Sequence, residues 1–176
     1  MDRMRVNGFF VGVFAFWCLS APLAWADAAA KADLLDANGN SVGAAEFNPA
    51  ADGVRMDVNI KGLQPGKHGI HIHAAGNCEA PDFKSAGPHF NPQNKKHGLS
   101  NPEGSHAGDL PNLEVDAEGN ASPTATLKGA SLGEGEDSLL HEGGTAVVIH
   151  AAEDDEVTDP SGNSGDRIAC GVIAAS

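Results

Sequence analysis

Basic residues are scarce in this 176-residue chain. Its 11 lysines and arginines stand against 24 aspartates and glutamates, for a formal net charge of −13. So acidic a balance argues against nucleic acid as a partner. Long apolar runs are lacking too. One extends from about residue 9 to residue 19, short of the roughly 20 residues that cross a bilayer. There are only three cysteines. Helical periodicity is weak throughout, and neither an internal repeat nor a second domain can be discerned. What remains is one domain, long enough to bury a core.

The N-terminus stands apart. Arg3 and Arg5 precede the apolar run, and Ala24-Trp25-Ala26 follows it. A basic start, a short apolar stretch and a small-x-small end describe a secretory signal peptide over residues 1–26, with the mature domain over 27–176. A membrane anchor is the competing reading, disfavoured by length. Cys18 would leave with the leader. Residues 27–176 hold 9 basic and 23 acidic residues, a formal net charge of −14. They retain Cys78 and Cys170. An even pair in an exported protein reads as a disulfide; buried thiols or thiolate metal ligands are the alternatives.

Short β-type segments fill the body of the chain. Residues 54–60 alternate apolar and polar, as in a half-buried strand. Segments near 121–127, 145–151 and 167–173 fit the same scheme. Turn signals such as Asp36-Ala-Asn-Gly39 and Glu118-Gly-Asn120 separate them. This pattern predicts an antiparallel sandwich or flattened barrel. Two Pro/Gly-rich stretches, 78–111 and 153–166, are too long for hairpin turns and are expected to be functional loops.

Six of the eight histidines fall between His68 and Asp109. His71 and His73 are two apart in an Ile-containing run. On a strand both would leave the same face, so both imidazoles can address one metal. His89, His97, His106 and Asp109 lie among Gly, Pro, Asn and Ser, which is loop chemistry. His150 follows the apolar run 146–149. Neutral imidazole is the commonest metal ligand, so two ligand sets are expected, one strand-borne and one loop-borne. His141 stands alone and is left out of the site.

Four motifs, in order and at these spacings, resemble copper-zinc superoxide dismutase in its exported bacterial form. They are Gly66-Lys-His-Gly-Ile-His-Ile-His73, Ser85-Ala-Gly-Pro-His-Phe-Asn-Pro92, His106-Ala-Gly-Asp-Leu110 and Gly162-Asn-Ser-Gly-Asp-Arg-Ile-Ala-Cys-Gly-Val-Ile173. The resemblance implies a Greek-key β-sandwich of about eight strands, and this enzyme is a known example of that architecture. It implies copper on His71, His73, His89 and His150, and zinc on His89, His97, His106 and Asp109, with His89 shared. It further implies that Asp154 links a copper-side and a zinc-side histidine, that Arg167 receives the anion, that Cys78 and Cys170 form a disulfide, and that His68 is structural. The reaction implied is dismutation of two superoxide radicals, with two protons, to dioxygen and hydrogen peroxide by Cu(II)/Cu(I) cycling in the periplasm.

Donor chemistry agrees with these implications. Four imidazoles suit Cu(II), and three imidazoles with a carboxylate suit zinc. The competing function class is a periplasmic protein that stores or delivers copper on the same domain. A zinc hydrolase is disfavoured, because four protein ligands leave zinc no open position. The chain departs from eukaryotic relatives in its loop Glu153-Asp-Asp-Glu-Val-Thr-Asp-Pro160, which lacks their lysine. Lys84 is the expected source of positive charge for steering the anion. Partners are expected to be superoxide alone, with no nucleic acid and no membrane once the leader is removed. A homodimer is an allowed state, since bacterial relatives include dimers and monomers.

Overall fold

Alternation builds the first three strands. The computed structural model describes Met1 and residues 29–176; the leader, Cys18 and the boundary at residue 27 lie outside the described residues. In β1 (Ala30–Asp36) the residues Ala30, Ala32 and Leu34 point inward. In β3 (Gly53–Ile60) Val54, Met56, Val58 and Ile60 do the same. Between them, β2 (Ser41–Ala50) completes a meander. The β1–β2 turn is set by Asp36, whose carboxylate accepts the backbone N–H groups of Asn38 and Asn40 at 2.8 Å each. This side chain-to-backbone pattern stabilises tight turns.

The other strands are β4 (Gly66–His68), β5 (Ile70–His73), β6 (Leu113–Val115), β7 (Thr124–Lys128), β8 (Ala146–His150), β9 (Arg167–Val172) and β10 (Ala174–Ala175). The main antiparallel sheet has the order β5-β8-β9-β1-β2-β3-β7, with β10 also paired to β1, while β4 and β6 form a separate ribbon. Neighbours distant in sequence, β5 beside β8 and β9 beside β1, are the crossovers of a Greek key. The sheet curls on itself. Val54 and Leu127 from one end share a core with Ile70, Ile72, Val147 and Ile149 from the other. The expected strands over 121–127, 145–151 and 167–173 are present, with ends that differ by at most three residues.

β5 and β8 differ from the rest because every residue in them is buried. Ile70 and Ile72 on β5, with Val147 and Ile149 on β8, face the main core. The opposite face carries His71, His73, Ala146, Val148 and His150, since directly opposed residues share a face and His71 pairs with Val148 and His73 with Ala146. That face is covered by two loops, 74–112 and 151–166. The first is fastened to the free edge of β5: Ile72 N–H donates to Gly108 O at 2.9 Å, and Phe90 N–H donates to Ile72 O at 2.8 Å. Gly108 has to be glycine here, because a Cβ would strike the Ile72 carbonyl. The first loop is also joined to β9 by a disulfide between Cys78 and Cys170, 92 residues apart.

Candidate metal centre

Strand geometry aims the first ligand set. His71 and His73 stand on one face of β5, and His150 ends β8 on the same face. His89 is brought beside them by an isolated bridge to His73. The candidate donor atoms of His71, His73, His89 and His150 all lie within 4.8 Å of one another. Four buried ring nitrogens have no hydrogen-bond partner: His71 Nδ1, His73 Nε2, His89 Nε2 and His150 Nε2. Buried polar atoms are almost always paired, so four orphans converging on one point indicate an ion as the missing partner. Burial comes first among the causes that push three of the rings below the ordinary histidine range: His73 to about 2, His89 to about 4 and His150 to about 3. Neutral imidazole is the form that ligates.

The second set is centred on Asp109. Its Oδ1 lies 2.9 Å from His89 Nδ1, 3.1 Å from His97 Nδ1 and 3.1 Å from His106 Nδ1. His106 Nδ1 and His89 Nδ1 are 3.4 Å apart. A tetrahedral zinc with bonds of about 2.0–2.1 Å has ligand–ligand edges of about 3.3 Å, so the four atoms fit. The other carboxylate oxygen accepts the backbone N–H groups of Gly98 at 2.9 Å and His106 at 3.0 Å. Burial would raise the Asp109 pKa, yet its hydrogen bonds to His106, His89 and His97 hold it well below the usual carboxylate range. His97 is displaced upward. Burial alone would lower it, but hydrogen bonds to Asp109 and Asp154 together outweigh that. Zinc would therefore displace a proton here.

Asp154 connects the two sets from behind. Its Oδ2 lies 2.6 Å from His71 Nε2, and its Oδ1 lies 3.0 Å from His97 Nε2. Asn112 holds its backbone on both sides, donating to Asp154 O and accepting from Asp154 N, at 2.8 Å each. Nothing in the sequence signalled Asn112; its role depends on the fold bringing 112 beside 154. Gly162, at φ 61°, covers Asp154, and a Cβ there would collide with the carboxylate.

Arg167 reaches this face through an irregularity. Ile149 pairs with Ala169, but His150 pairs with Arg167, so Ile168 is an extra residue in β9. Without it, Arg167 would share the core side with Ala169. A β-bulge re-aims side chains in this way. The guanidinium donates to Phe83 O and Gly87 O, each at 2.7 Å. His68 lies outside both sets, its ring nitrogens 2.8 Å from His150 O and 2.9 Å from Gln64 O.

A cleft opens from His73, His89, His150 and Arg167 toward Lys95 and Lys96. Lys84 does not line it. The short 3-10 turn Lys84–Ala86 leaves the Lys84 ammonium exposed and paired with Asp82 at 2.6 Å. The expected steering residue is not among those that line the cleft, but it lies close enough to Arg167 to interact with it electrostatically. His141 lines the cleft wall, its ring stacked on Phe90.

Fold and site together define a class: a Greek-key β-sandwich with two histidine-rich donor sets, each able to hold a metal ion, that have His89 in common. Comparison with known proteins identifies the family. Residues 41–173 match the model of "Copper/zinc superoxide dismutase (SODC)". Superoxide dismutase [Cu-Zn] 2 of Aquifex aeolicus is 50% identical over 149 residues, covering 84% of this chain and 87% of that protein. Among solved structures, a SOD-like protein from Bacillus subtilis superposes with a TM-score of 0.78 at 43% identity, covering 81% and 96% of the two chains. The Cu/Zn superoxide dismutase from Brucella abortus gives 0.66 at 30% identity, covering 83% and 99%. The chain belongs to the copper/zinc superoxide dismutase family.

Proposed function

We propose that His71, His73, His89 and His150 hold copper, that His89, His97, His106 and Asp109 hold zinc, and that Arg167 receives the substrate anion beside the copper. The chain is a superoxide dismutase, an oxidoreductase with copper and zinc as cofactors. Copper, when bound, supplies the one-electron Cu(II)/Cu(I) chemistry that converts two superoxide ions and two protons to dioxygen and hydrogen peroxide. The observation that carries the residue assignment is the convergence of four orphaned nitrogens on one buried point.

The chain's own groups do the rest. Arg167 commits two of its five N–H donors to the carbonyls of Phe83 and Gly87. The others are free to meet a small anion with a fixed positive charge. His73 Nδ1–H donates to Gly87 O at 2.8 Å, which fixes its tautomer and turns Nε2 inward. His89 Nε2 is the atom at which a proton can be held and handed to peroxide, while its Nδ1 faces Asp109. Export through the leader 1–26 to the periplasm belongs to the same reading, supported by the Cys78–Cys170 disulfide, a bond that an oxidising compartment favours.

The direct test is superoxide decay followed with metal-free, zinc-only and copper-zinc protein at one concentration. Fast decay is expected in the copper-zinc form alone, near the roughly 10⁸–10⁹ M⁻¹s⁻¹ ceiling for which superoxide dismutase is itself a standard example. Equal, slow decay in all three forms would reject the assignment.

Steering passes to Lys95. It is exposed, it lines the cleft, and it makes no ion pair among the described residues. Asn91 fixes its backbone, donating to Lys95 O and accepting from Lys95 N at 2.9 Å each. Lys96 beside it is paired with Asp159 at 3.2 Å. A free cation at a cleft mouth raises the local concentration of an anion, an effect that salt screens. Lys95→Ala is expected to slow decay about two- to threefold at low ionic strength and to flatten the salt dependence. Lys84→Ala should have a smaller effect on both, since the Lys84 ammonium is already paired with Asp82. A wild-type salt slope in Lys95→Ala would remove this role.

A further inference from the structure

Phe83 has a backbone φ of 51°, in the left-handed region that bulky side chains avoid. Its ring is 2% exposed and packs with Ala86, Ala146, Val148 and Cys170, with Cys78 alongside. This is a second apolar cluster, on the metal-bearing face of the sheet and separate from the main core. A costly backbone conformation persists only where its surroundings over-determine it, and such an outlier is a reason to look for a role. The role is visible in what the backbone here contacts. Phe83 O accepts from Arg167 Nη1 at 2.7 Å. Four residues on, Gly87 O accepts from Arg167 Nη2 at 2.7 Å and from His73 Nδ1 at 2.8 Å. One residue thus places its ring in the cluster and its carbonyl on the guanidinium.

We propose that Phe83 is a positioning residue for the dismutation. Its buried ring pins the 79–87 segment, and the carbonyls of that segment hold Arg167 where the anion arrives. The proposal rests on the reading of Arg167 as the anion's partner. The disulfide holds one end of the segment through Cys78, and the bridge to His89 holds the other. Between them the turn is tied by short-range hydrogen bonds, such as Phe83 N to Glu79 O at 3.0 Å and Ala86 N to Phe83 O at 3.1 Å. Those bonds hold the turn together; Ala75 N–H to Ala86 O at 3.0 Å and Ala74 N–H to Pro88 O at 2.9 Å tie its far end to the chain leaving β5, and the Phe83 ring seats its middle against β8 and β9. Without the ring, the Phe83 carbonyl loses its fixed distance from β9, and the Gly87 carbonyl is left to hold the guanidinium alone. Arg167, a long side chain with much rotamer freedom, then meets the anion without preorganisation.

The test is a double-mutant cycle on copper-zinc protein with metal content verified: Phe83→Ala, Arg167→Ala and the two combined. Three readouts are taken: superoxide decay, azide affinity of the copper-loaded protein, and the Arg167 guanidinium N–H signals by NMR in the zinc-only form. Phe83→Ala is expected to slow decay about tenfold, to weaken azide comparably, and to broaden or abolish the Arg167 signals. In the Arg167→Ala background it should add nothing. Phe83→Leu, which refills most of the pocket, should recover most of all three readouts. Equal losses in both backgrounds would overturn the proposal, as would unchanged azide affinity and unchanged Arg167 signals in Phe83→Ala. If Phe83→Ala fails to fold, Phe83→Leu carries the same cycle with a smaller expected loss. Wild-type decay and azide binding in Arg167→Ala would instead defeat the reading of Arg167. A slow Arg167→Ala with additive Phe83→Ala defeats only the positioning role.

Discussion

Replacing His89 by alanine is expected to reduce superoxide decay by at least about 10²–10⁴-fold, the range lost when a positioned proton donor is removed. No other side chain belongs to both donor sets. Its Nε2 is one of the four orphaned nitrogens, and its Nδ1 lies 2.9 Å from Asp109 Oδ1. Its ring centre is 4.1 Å from that of His71 and 5.4 Å from that of His106. Truncation therefore removes a ligand from each set, and with it the atom that can hold a proton inside the cleft. The sharper readout is spectroscopic. In the wild type, adding zinc to copper-only protein should change the copper absorption, because the ions share an imidazole. In His89→Ala the copper spectrum should no longer respond to zinc. Free imidazole, small enough to enter the vacated space, should restore part of the activity. A zinc response that survives in His89→Ala would show that the two sets communicate by another route and would overturn the shared-ligand reading.

The two donor clusters were legible in the sequence because strand and loop chemistry sort the candidate ligands. His71 and His73 had to share a face once 70–73 was a strand. The Gly- and Pro-rich segment had to be a loop, and His89, His97, His106 and Asp109 all belong to it. The β-sandwich followed from alternation in residues such as Val54, Met56, Val58 and Ile60. What stayed hidden depended on contacts that residue types do not encode. The extra residue Ile168 in β9 turns Arg167 to the metal-bearing face, and alternation counted along β9 would place Arg167 in the core. The guanidinium's partners are backbone oxygens, which carry no sequence signature. Lys84 drew notice because it immediately precedes the His89 motif. Its short helical turn directs it to Asp82 and solvent, whereas Lys95, eleven residues on, lines the cleft. The loop between them folds back along β5, which brings a lysine eleven positions further on to the cleft.

Asp154→Ala is expected to lower copper and zinc affinity together, each by about 10–100-fold, the usual cost of removing a carboxylate that orients ligating histidines. The reason for a double loss is geometric. One carboxylate faces His71 Nε2 with one oxygen and His97 Nε2 with the other. Each contact fixes a ring so that its Nδ1 points into its donor set, the proposed copper set for His71 and the proposed zinc set for His97. Asp154 is 3% exposed, and burial by itself would favour its neutral acid. Its hydrogen bonds to the two histidines outweigh that and keep it ionised, so both oxygens act as acceptors. Alanine leaves two buried N–H donors unsatisfied and both rings free to turn. Asparagine is the informative contrast, since its amide offers one oxygen and one nitrogen. It can accept from one ring but presents N–H groups to the other, so Asp154→Asn should retain one metal near wild-type affinity and weaken the other. Competition titrations with chelators, one metal at a time, would measure both constants in each variant. The fold should survive, because the main core lies on the other face of β5 and β8 and contains neither histidine. If Asp154→Ala weakened only one ion, or neither, the carboxylate would not be the common support of the two sites.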